Sequence, residues 1–114
     1  MLEKRPWGCY EILFEDETYK VKRLIINPNK RLSLQTHEHR SEHWVVVKGT
    51  IKVRIGDNEQ ILTKNESAYV PRKMLHRIEN EGFEESIVVE TQVGDYLGED
   101  DIVRYEDDYG RNKE

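Results

Sequence analysis

The chain has 114 residues, of which 36% are hydrophobic and 36% are charged, and its formal net charge is −5. This length predicts one domain, residues 1–114, and the acidic balance argues against nucleic acid as a partner. No apolar run reaches the roughly 18 residues that a membrane span needs, so we expect no membrane partner. With a single cysteine, Cys9, and no signal-like start, we expect a cytoplasmic protein.

Short apolar segments separated by turn residues make up the first half of the chain. Residues 19–26, YKVKRLII, alternate apolar and polar side chains, which is typical of a half-buried strand. The next strands are expected at residues 32–39, 44–47 and 50–55. Gly49 is expected at a turn or bulge.

The second half continues with strands expected at residues 59–62, 67–70 and 86–93. Beyond Gly94 the composition becomes acidic, and we expect a closing loop with a short helix or an extended tail. No helical period of useful length appears. Many short strands between regular turns therefore predict an all-β antiparallel sandwich or barrel.

Residues with metal-ligand side chains are concentrated in nine positions: Gln35, His37, His39, Glu42 and His43. Alternate residues of a strand share a face, so the first three are expected to project together if this stretch is extended. A turn after His39 would bring Glu42 back from the next strand. Imidazole, carboxylate and amide oxygen in one place predict a divalent metal site.

The spacing of this stretch resembles the first motif of the cupin superfamily. Gln35-x-His37 is followed after four residues by Glu42 and after six more by Gly49, and Gln35 replaces the usual first histidine. This resemblance implies a cupin-type double-stranded β-helix, which is a jelly-roll barrel.

A second stretch resembles the second cupin motif, in which Pro71, His76 and Asn80 stand at the expected offsets. Three residues occupy positions where the two motifs usually have glycine: Asn29, Asn65 and Lys73. Two motifs in the right order are stronger support for the cupin assignment than either alone.

Nearly the whole chain is similar to one cupin family, the C-terminal domain of the type II phosphomannose isomerases. The most specific stretches are HRSEHW at 39–44 and YLGEDDIVR at 96–104. That domain is usually fused behind a mannose-1-phosphate guanylyltransferase domain, and we expect this chain to be the isomerase domain standing alone. The resemblance implies a mannose-6-phosphate isomerase of the GDP-mannose pathway, with mannose 6-phosphate and fructose 6-phosphate as substrate and product.

The resemblance also implies the ligand set Gln35, His37, Glu42 and His76. His39 lies on the predicted face of His37, so a set with His39 in place of Gln35 remains open. Either set suits zinc, manganese, cobalt or iron(II), and ligand type does not choose among them.

Isomerisation of a sugar phosphate requires a general base near C1 and C2, and cations for the phosphate. The candidate catalytic residues are His39, His43, Glu99 and Asp100. The cations available for the phosphate are Lys30, Arg31, Arg40, Arg72, Lys73, Arg77, Arg104 and Arg111. Of these, the candidate phosphate-binding residues are Arg72 and Lys73, which precede His76 in a loop, and Arg111 in the closing YGR.

Two other functions remain open for a cupin of this kind. One is a non-catalytic sugar-phosphate-binding or nucleotide-sugar-binding cupin that acts as a sensor or accessory subunit. The other is a different cupin enzyme, such as a dioxygenase or another sugar-phosphate isomerase, because the same ligands serve those reactions. Small jelly rolls often pair through their sheets, so we expect a homodimer.

Overall fold

Twelve β-strands make up the regular structure of the computed structural model, which describes residues 1–111. The strands are β1 (Leu2–Arg5), β2 (Gly8–Glu15), β3 (Tyr19–Ile26), β4 (Lys30–Arg31), β5 (Leu34–Thr36), β6 (Arg40–Lys48), β7 (Thr50–Ile55), β8 (Asn58–Thr63), β9 (Ser67–Val70), β10 (His76–Asn80), β11 (Ser86–Gly94) and β12 (Val103–Glu106). The all-β prediction is therefore confirmed. The end of the predicted 1–114 domain, residues 112–114, lies outside the described residues.

The strands form two antiparallel sheets. The first sheet has the order β1-β2-β3-β11-β6-β9, and the second has the order β12-β5-β10-β7-β8, with β4 beside β10. Their inner faces pack together around fully buried side chains such as Trp44 and Val88 from the first sheet and Val53 and Ile78 from the second. Burying each such side chain contributes about 1.5–3 kcal/mol. The described part of the chain contains no helix with the length and apolar character needed to cross a membrane.

Strand β6 begins four residues before the predicted start at Trp44. Its side chains alternate strictly, with Arg40, Glu42, Trp44 and Val46 buried and the residues between them partly or fully exposed. The prediction was wrong because Arg40 and Ser41 looked like a turn between two strands. They open β6 instead, which is paired on both sides, with β11 and with β9, and the charged Arg40 and Glu42 lie on its inward face.

Strand β5 is much shorter than the predicted strand 32–39. It ends at Thr36, and the chain bends at Glu38 and His39. The Asp101 carboxylate accepts hydrogen bonds from the amides of both bend residues, each at 2.9 Å. A contact from 62 to 63 positions away along the chain therefore ends the strand, and the alternation assumed for His37 and His39 does not apply.

The acidic segment after Gly94 forms a strand where a short helix or an extended tail was expected. Strand β12 pairs with β5, with Val103 opposite Thr36 and Arg104 opposite Gln35. The helix alternative was wrong because the edge of β5 is open to pairing. The segment thus closes the second sheet beside the predicted ligand stretch.

Three turns have a left-handed backbone at a residue other than glycine: φ is 59° at Asn29, 75° at Asn65 and 68° at Lys73. These are the positions where the cupin motifs usually have glycine. A side chain in this conformation costs roughly 1–2 kcal/mol, less for asparagine than for lysine. The chain therefore keeps the turns of the motif without its glycines.

Candidate metal centre

Three buried side chains converge between the sheets: His37 just after β5, Glu42 in β6 and His76 at the start of β10. Their ligand atoms all lie within 4.8 Å of one another. His37 Nε2 is 3.2 Å from one carboxylate oxygen of Glu42, and His76 Nε2 is 3.8 Å from the other. None of the three side chains is more than 4% exposed. The carboxylate thus lies between two imidazole nitrogens in a site screened from bulk water.

Backbone carbonyls fix the orientation of both imidazoles. His37 Nδ1 donates to the Asp101 carbonyl at 2.7 Å, and His76 Nδ1 donates to the Met74 carbonyl at 2.9 Å. The lone pair of each ring is therefore on Nε2, the atom that faces Glu42. Among residues 1–111, His76 Nε2 is buried without a hydrogen-bond partner. A buried imidazole held this way with its acceptor atom unpaired is the arrangement of a metal-ligating histidine.

Burial and neighbouring charges set the protonation of this cluster. Burial lowers the pKa of His37 to about 4, although the Glu42 carboxylate opposes the shift. Burial raises the pKa of Glu42, but the two imidazoles and Arg40 lower it further, so its pKa lies well below the usual range. A neutral imidazole and an ionised carboxylate are the forms that bind a metal.

The Arg40 guanidinium also reaches this cluster. Its Nε donates to Glu42 Oε2 at 2.9 Å, and its Nη2 donates to His37 Nε2 at 3.3 Å. Arg40 is only 6% exposed, so its charge and that of Glu42 offset each other inside the barrel. A buried carboxylate without a cation nearby would be unstable.

A second carboxylate, Glu90 on β11, lies beside Glu42. The indole nitrogen of Trp44 donates to both carboxylates, at 3.1 Å to Glu42 and 3.2 Å to Glu90. Gln92 Nε2 donates to the other oxygen of Glu90 at 2.7 Å. Burial and the charge of Glu42 raise the pKa of Glu90 to about 8. In this pair Glu42 is therefore ionised and Glu90 protonated at neutral pH.

Gln35 lies next to His76 across the second sheet. The two residues are directly opposite in the β5–β10 pairing, so their side chains share the inner face. Gln35 is buried and lines the cavity above the cluster, whereas His39 is exposed in the bend. Two neutral imidazoles, a carboxylate and an amide oxygen are donors that fit a divalent cation such as zinc or manganese.

A cavity of about 120 Å³ opens above His37, Glu42 and His76. Five cationic side chains belong to its lining: Arg5, Lys22, Arg40, Arg104 and Arg111. Three carboxyl groups also line it: Glu42, Glu90 and Glu99. The cavity thus joins a candidate metal cluster to a surface that favours an anionic ligand.

The predicted catalytic residues Glu99 and Asp100 lie in different surroundings. Glu99 lines the cavity and accepts from Lys22 and Lys20, whose Nζ atoms lie 2.7 Å and 3.3 Å from its Oε2. Asp100 is exposed and accepts a hydrogen bond from the Tyr96 hydroxyl. The structure brings Glu99 to the site and leaves Asp100 outside the cavity lining.

The other two catalytic candidates, His39 and His43, do not line the cavity either. His39 Nδ1 is 3.7 Å from an exposed Asp95 carboxylate. His43 is on the outer face of β6, where its ring centroid is 4.6 Å from that of Tyr69. Both imidazoles therefore lie on the surface, away from Glu42.

Only one of the three predicted phosphate-binding residues reaches the cavity. Arg111 lines it and is held by Asp107, with Nε 2.8 Å from a carboxylate oxygen. Arg72 is exposed and donates to the Glu38 carbonyl at 3.3 Å. Lys73 is exposed, and its Nζ is 3.7 Å from the Glu38 carboxylate. The two loop cations thus lie outside the cavity.

The sequence analysis did not single out three charged residues of the cavity, Arg5, Lys22 and Glu90, and it placed Arg40 and Arg104 only in the wider set of cations available for the phosphate. A signal existed for Arg40, because Arg40, Glu42 and Trp44 follow the two-residue period of one strand face. Glu90 follows the same period in the strand SIVVETQVG. No local pattern distinguishes Arg5 or Arg104 from a surface arginine.

Relatives of known sequence match almost the whole chain. The family model described as "Mannose-6-phosphate isomerase C-terminal" matches residues 2–107. The xanthan biosynthesis protein XanB of Xanthomonas campestris is 50% identical over 107 residues, covering 94% of this chain and 23% of XanB. Mannose-1-phosphate guanylyltransferase 2 of Escherichia coli is 47% identical over 105 residues, covering 92% of this chain and 22% of that protein. The chain spans less than a quarter of the length of these curated relatives.

Solved structures agree with the fold. The cupin domain of Schizosaccharomyces pombe Cnp3 matches with a TM-score of 0.77 and 19% identity, covering 83% of this chain and 69% of that one. At this identity the match concerns the fold alone. The predicted cupin-type double-stranded β-helix is confirmed.

Proposed function

The chain belongs to the family of mannose-6-phosphate isomerase C-terminal domains, and from that premise we propose that it interconverts mannose 6-phosphate and fructose 6-phosphate with a bound divalent metal. One observation carries the proposal. The buried His37, Glu42 and His76 form a metal-ligand cluster beneath a cavity whose charged lining has five cationic side chains and three carboxyl groups. A ligand with oxygens at one end and a phosphate at the other matches both parts of this cavity.

His37, Glu42 and His76 would hold the metal, with Gln35 as the fourth ligand. The donor set suits zinc, manganese, cobalt or iron(II). When bound, such a metal polarises a carbonyl oxygen and stabilises the negative charge that develops on it, which is worth several kcal/mol. The protein contributes the low-charge ligand set, the fixed imidazole orientation and the screening from water.

Glu99 is the candidate general base. It would remove the proton from C2 of the open-chain aldose and return a proton to C1, passing through an enediol. Burial raises the pKa of Glu99, but Lys22 and Lys20 lower it further, so the carboxylate is ionised at neutral pH. The same two lysines hold the carboxylate against the cavity.

The test is a coupled isomerase assay on the purified chain, stripped of metal and then loaded separately with zinc, manganese, cobalt and iron(II). We expect turnover with at least one metal, none after stripping, and a large loss of kcat in Glu99→Gln. Asp100→Asn is the matched comparison, because its carboxylate neighbours Glu99 in the sequence but lies outside the cavity. Full activity in metal-stripped protein would contradict the proposal.

A non-catalytic sugar-phosphate-binding or nucleotide-sugar-binding cupin is the second candidate function. It is favoured by the ion pairs that engage Glu99, because a base tied to two lysines is a weak proton acceptor. Binding of mannose 6-phosphate without turnover, with every metal tried, would support it. Oxygen consumption by the iron-loaded protein would instead indicate a different cupin enzyme, such as a dioxygenase.

A homodimer and a cytoplasmic location stay predictions. The outer face of the first sheet carries apolar side chains that are more than one-third exposed, including Val45, Val47, Tyr69 and Val93. We propose this face as the surface where two copies would pair. Sedimentation analysis of wild type and Val45→Glu tests it, since a charge on β6, between the exposed apolar residues of β11 and β9, would favour the monomer.

A further inference from the structure

Four arginines line the cavity, and one of them, Arg104, has no carboxylate at ion-pair distance among residues 1–111. Arg5, Arg104 and Arg111 all line the cavity, although they come from β1, β12 and the segment after β12. The Arg104 Nε atom is buried without a hydrogen-bond partner, and its side chain forms no ion pair with residues 1–111. A buried donor left unpaired costs about 1–3 kcal/mol, more when it is charged.

The arginines that are less than one-tenth exposed among residues 1–111, Arg40 and Arg77, are each paired with a carboxylate. Arg40 donates to the Glu42 carboxylate, and Arg77 Nη1 is 3.1 Å from a Glu106 carboxylate oxygen. Arg104 differs from both. Burial and the nearby charges of Arg111 and Arg5 lower the pKa of Arg104, and the Asp107 carboxylate opposes the shift. The fold therefore brings like charges together at a place where it supplies too little negative charge.

Arg5 and Arg111, the arginines beside Arg104, have too few carboxylate partners to neutralise the three positive charges. Arg5 donates to the Lys4 carbonyl and the Tyr10 hydroxyl, both neutral acceptors. Its guanidinium carbon is also 4.9 Å from the centroid of the Tyr10 ring. Arg111 is paired with Asp107. Three arginines thus share one carboxylate, and two positive charges remain.

We propose that Arg5, Arg104 and Arg111 form a subsite for a phosphate monoester, with Arg104 as its principal donor. A phosphate monoester carries up to two negative charges near neutral pH, which matches the excess. Guanidinium groups bind phosphate oxygens through paired hydrogen bonds. Placing this phosphate on the sugar substrate rests on the proposed function, but the anion subsite itself does not.

The position of Arg104 in the sheet supports this assignment. Arg104 is opposite Gln35, and Gln35 is opposite His76, so the three side chains form one row across the inner face. Two strand spacings, about 10 Å, separate the main chains of Arg104 and His76. One ligand can therefore place its phosphate at Arg104 and its oxygens at the metal ligands.

The experiment is a calorimetric titration of the metal-stripped full chain with inorganic phosphate. We expect Arg104→Gln to weaken phosphate binding at least tenfold and Arg5→Gln to weaken it severalfold. Arg54→Gln is the matched control, because the Arg54 guanidinium lies outside the cavity and donates to the Gly56 carbonyl. The phosphate affinity of this variant should stay within twofold of the wild-type value. Thermal unfolding of each variant checks that it is folded. If Arg104→Gln does not fold, the phosphate affinity of Arg5→Gln tests the subsite instead.

Kinetics separate this proposal from the isomerase proposal. In an active preparation, Arg104→Gln should raise the KM for mannose 6-phosphate at least tenfold and change kcat much less. Unchanged phosphate affinity in Arg104→Gln, or in Arg5→Gln should Arg104→Gln not fold, would overturn the subsite. Phosphate binding that depends on Arg104 without any turnover would leave the subsite standing and overturn the isomerase proposal alone.

Discussion

The four histidines of the chain form two pairs in opposite surroundings. His37 and His76 are buried, and each donates Nδ1 to a backbone carbonyl. His39 and His43 are exposed and lie against the tyrosine rings of Tyr96 and Tyr69. Three of the four occur within seven positions of the sequence, yet only one of those three joins the cluster. Residue type and proximity in sequence do not define a ligand.

Burial and a fixed tautomer separate the inner pair, His37 and His76, from the outer pair, His39 and His43. A carbonyl that accepts from Nδ1 leaves the lone pair on Nε2 and fixes the direction in which it points. The outer pair has no such carbonyl partner among residues 1–111, and its rings are open to water. The following predictions test this distinction, beginning with the largest expected effect.

Replacing one inner histidine should abolish the proposed activity. We expect His76→Ala to lower kcat/KM for mannose 6-phosphate at least about a thousandfold, because several kcal/mol of charge stabilisation depend on the metal. His43→Ala should change kcat/KM less than about threefold. A coupled assay of both variants in the presence of the activating metal measures the difference. Equal losses would remove the distinction between the pairs.

The inner pair should also make the metal-free protein sensitive to acid. The pKa of His37 is about 4, below its ordinary value of 6.5, so between these values the unfolded chain binds a proton that the folded chain does not. The free energy of unfolding therefore falls as the pH falls through this window, by up to about 3 kcal/mol.

Urea unfolding of metal-free wild type and His37→Asn, at about pH 7 and about pH 4.5, measures this contribution. The loss of stability on acidification should be smaller in the variant by roughly 2–3 kcal/mol. Comparing the two proteins cancels the opposite contribution of Glu90, whose raised pKa destabilises the fold as the pH rises. Equal losses would contradict a buried neutral His37.

Loosening the bend that separates His37 from His39 should weaken the site. The Asp101 carboxylate accepts from the amides of Glu38 and His39, and its carbonyl holds the His37 ring. We expect Asp101→Ala to weaken metal binding roughly 10–100-fold, the usual effect of losing a partner that orients a ligand. Competition with a chromophoric chelator measures it, with Asp100→Ala as the control. Wild-type affinity in Asp101→Ala would show that the bend does not position His37.

The smallest effect concerns the turn that connects the inner pair. The Lys73 amide donates to the His37 carbonyl at 2.8 Å, three residues before His76. Because Lys73 is strained at positive φ, Lys73→Gly should raise the free energy of unfolding by about 0.5–1 kcal/mol. Lys64→Gly should lower it by a similar amount, since Lys64 is not at positive φ. Thermal unfolding compares them, and destabilisation by Lys73→Gly would contradict the strain.

Much of the fold could be predicted from the sequence because local rules govern it. Alternating side chains identify β3 and β7, β-branched residues identify β11, and turn residues separate the strands. The two cupin motifs then predict the barrel. The motifs also predict turns with positive φ at the three positions where they usually have glycine. The structure has positive φ at these positions, although Asn29, Asn65 and Lys73 occupy them.

The remainder of the site depends on long-range contacts that no local pattern records. The bend at His39 is made by Asp101, and the edge of β5 is completed by β12. Arg5 and Arg104 meet only because the two ends of the chain come together beside the cavity. For this reason the spacing of the motifs indicated the ligands His37, Glu42 and His76, which the structure brings together. The predicted phosphate contacts Arg72 and Lys73, by contrast, lie outside the cavity.

The most direct test is the amount of metal bound per chain, measured by elemental analysis after equilibrium dialysis against zinc or manganese. Two double variants with the same composition change are compared with wild type: His37→Ala/His76→Ala and His39→Ala/His43→Ala. We predict about one ion per chain in wild type and in the outer double variant, and none in the inner double variant, because only the inner pair presents Nε2 to Glu42. Retention of one ion by the inner double variant, or its loss from the outer one, would contradict the assignment of the metal centre.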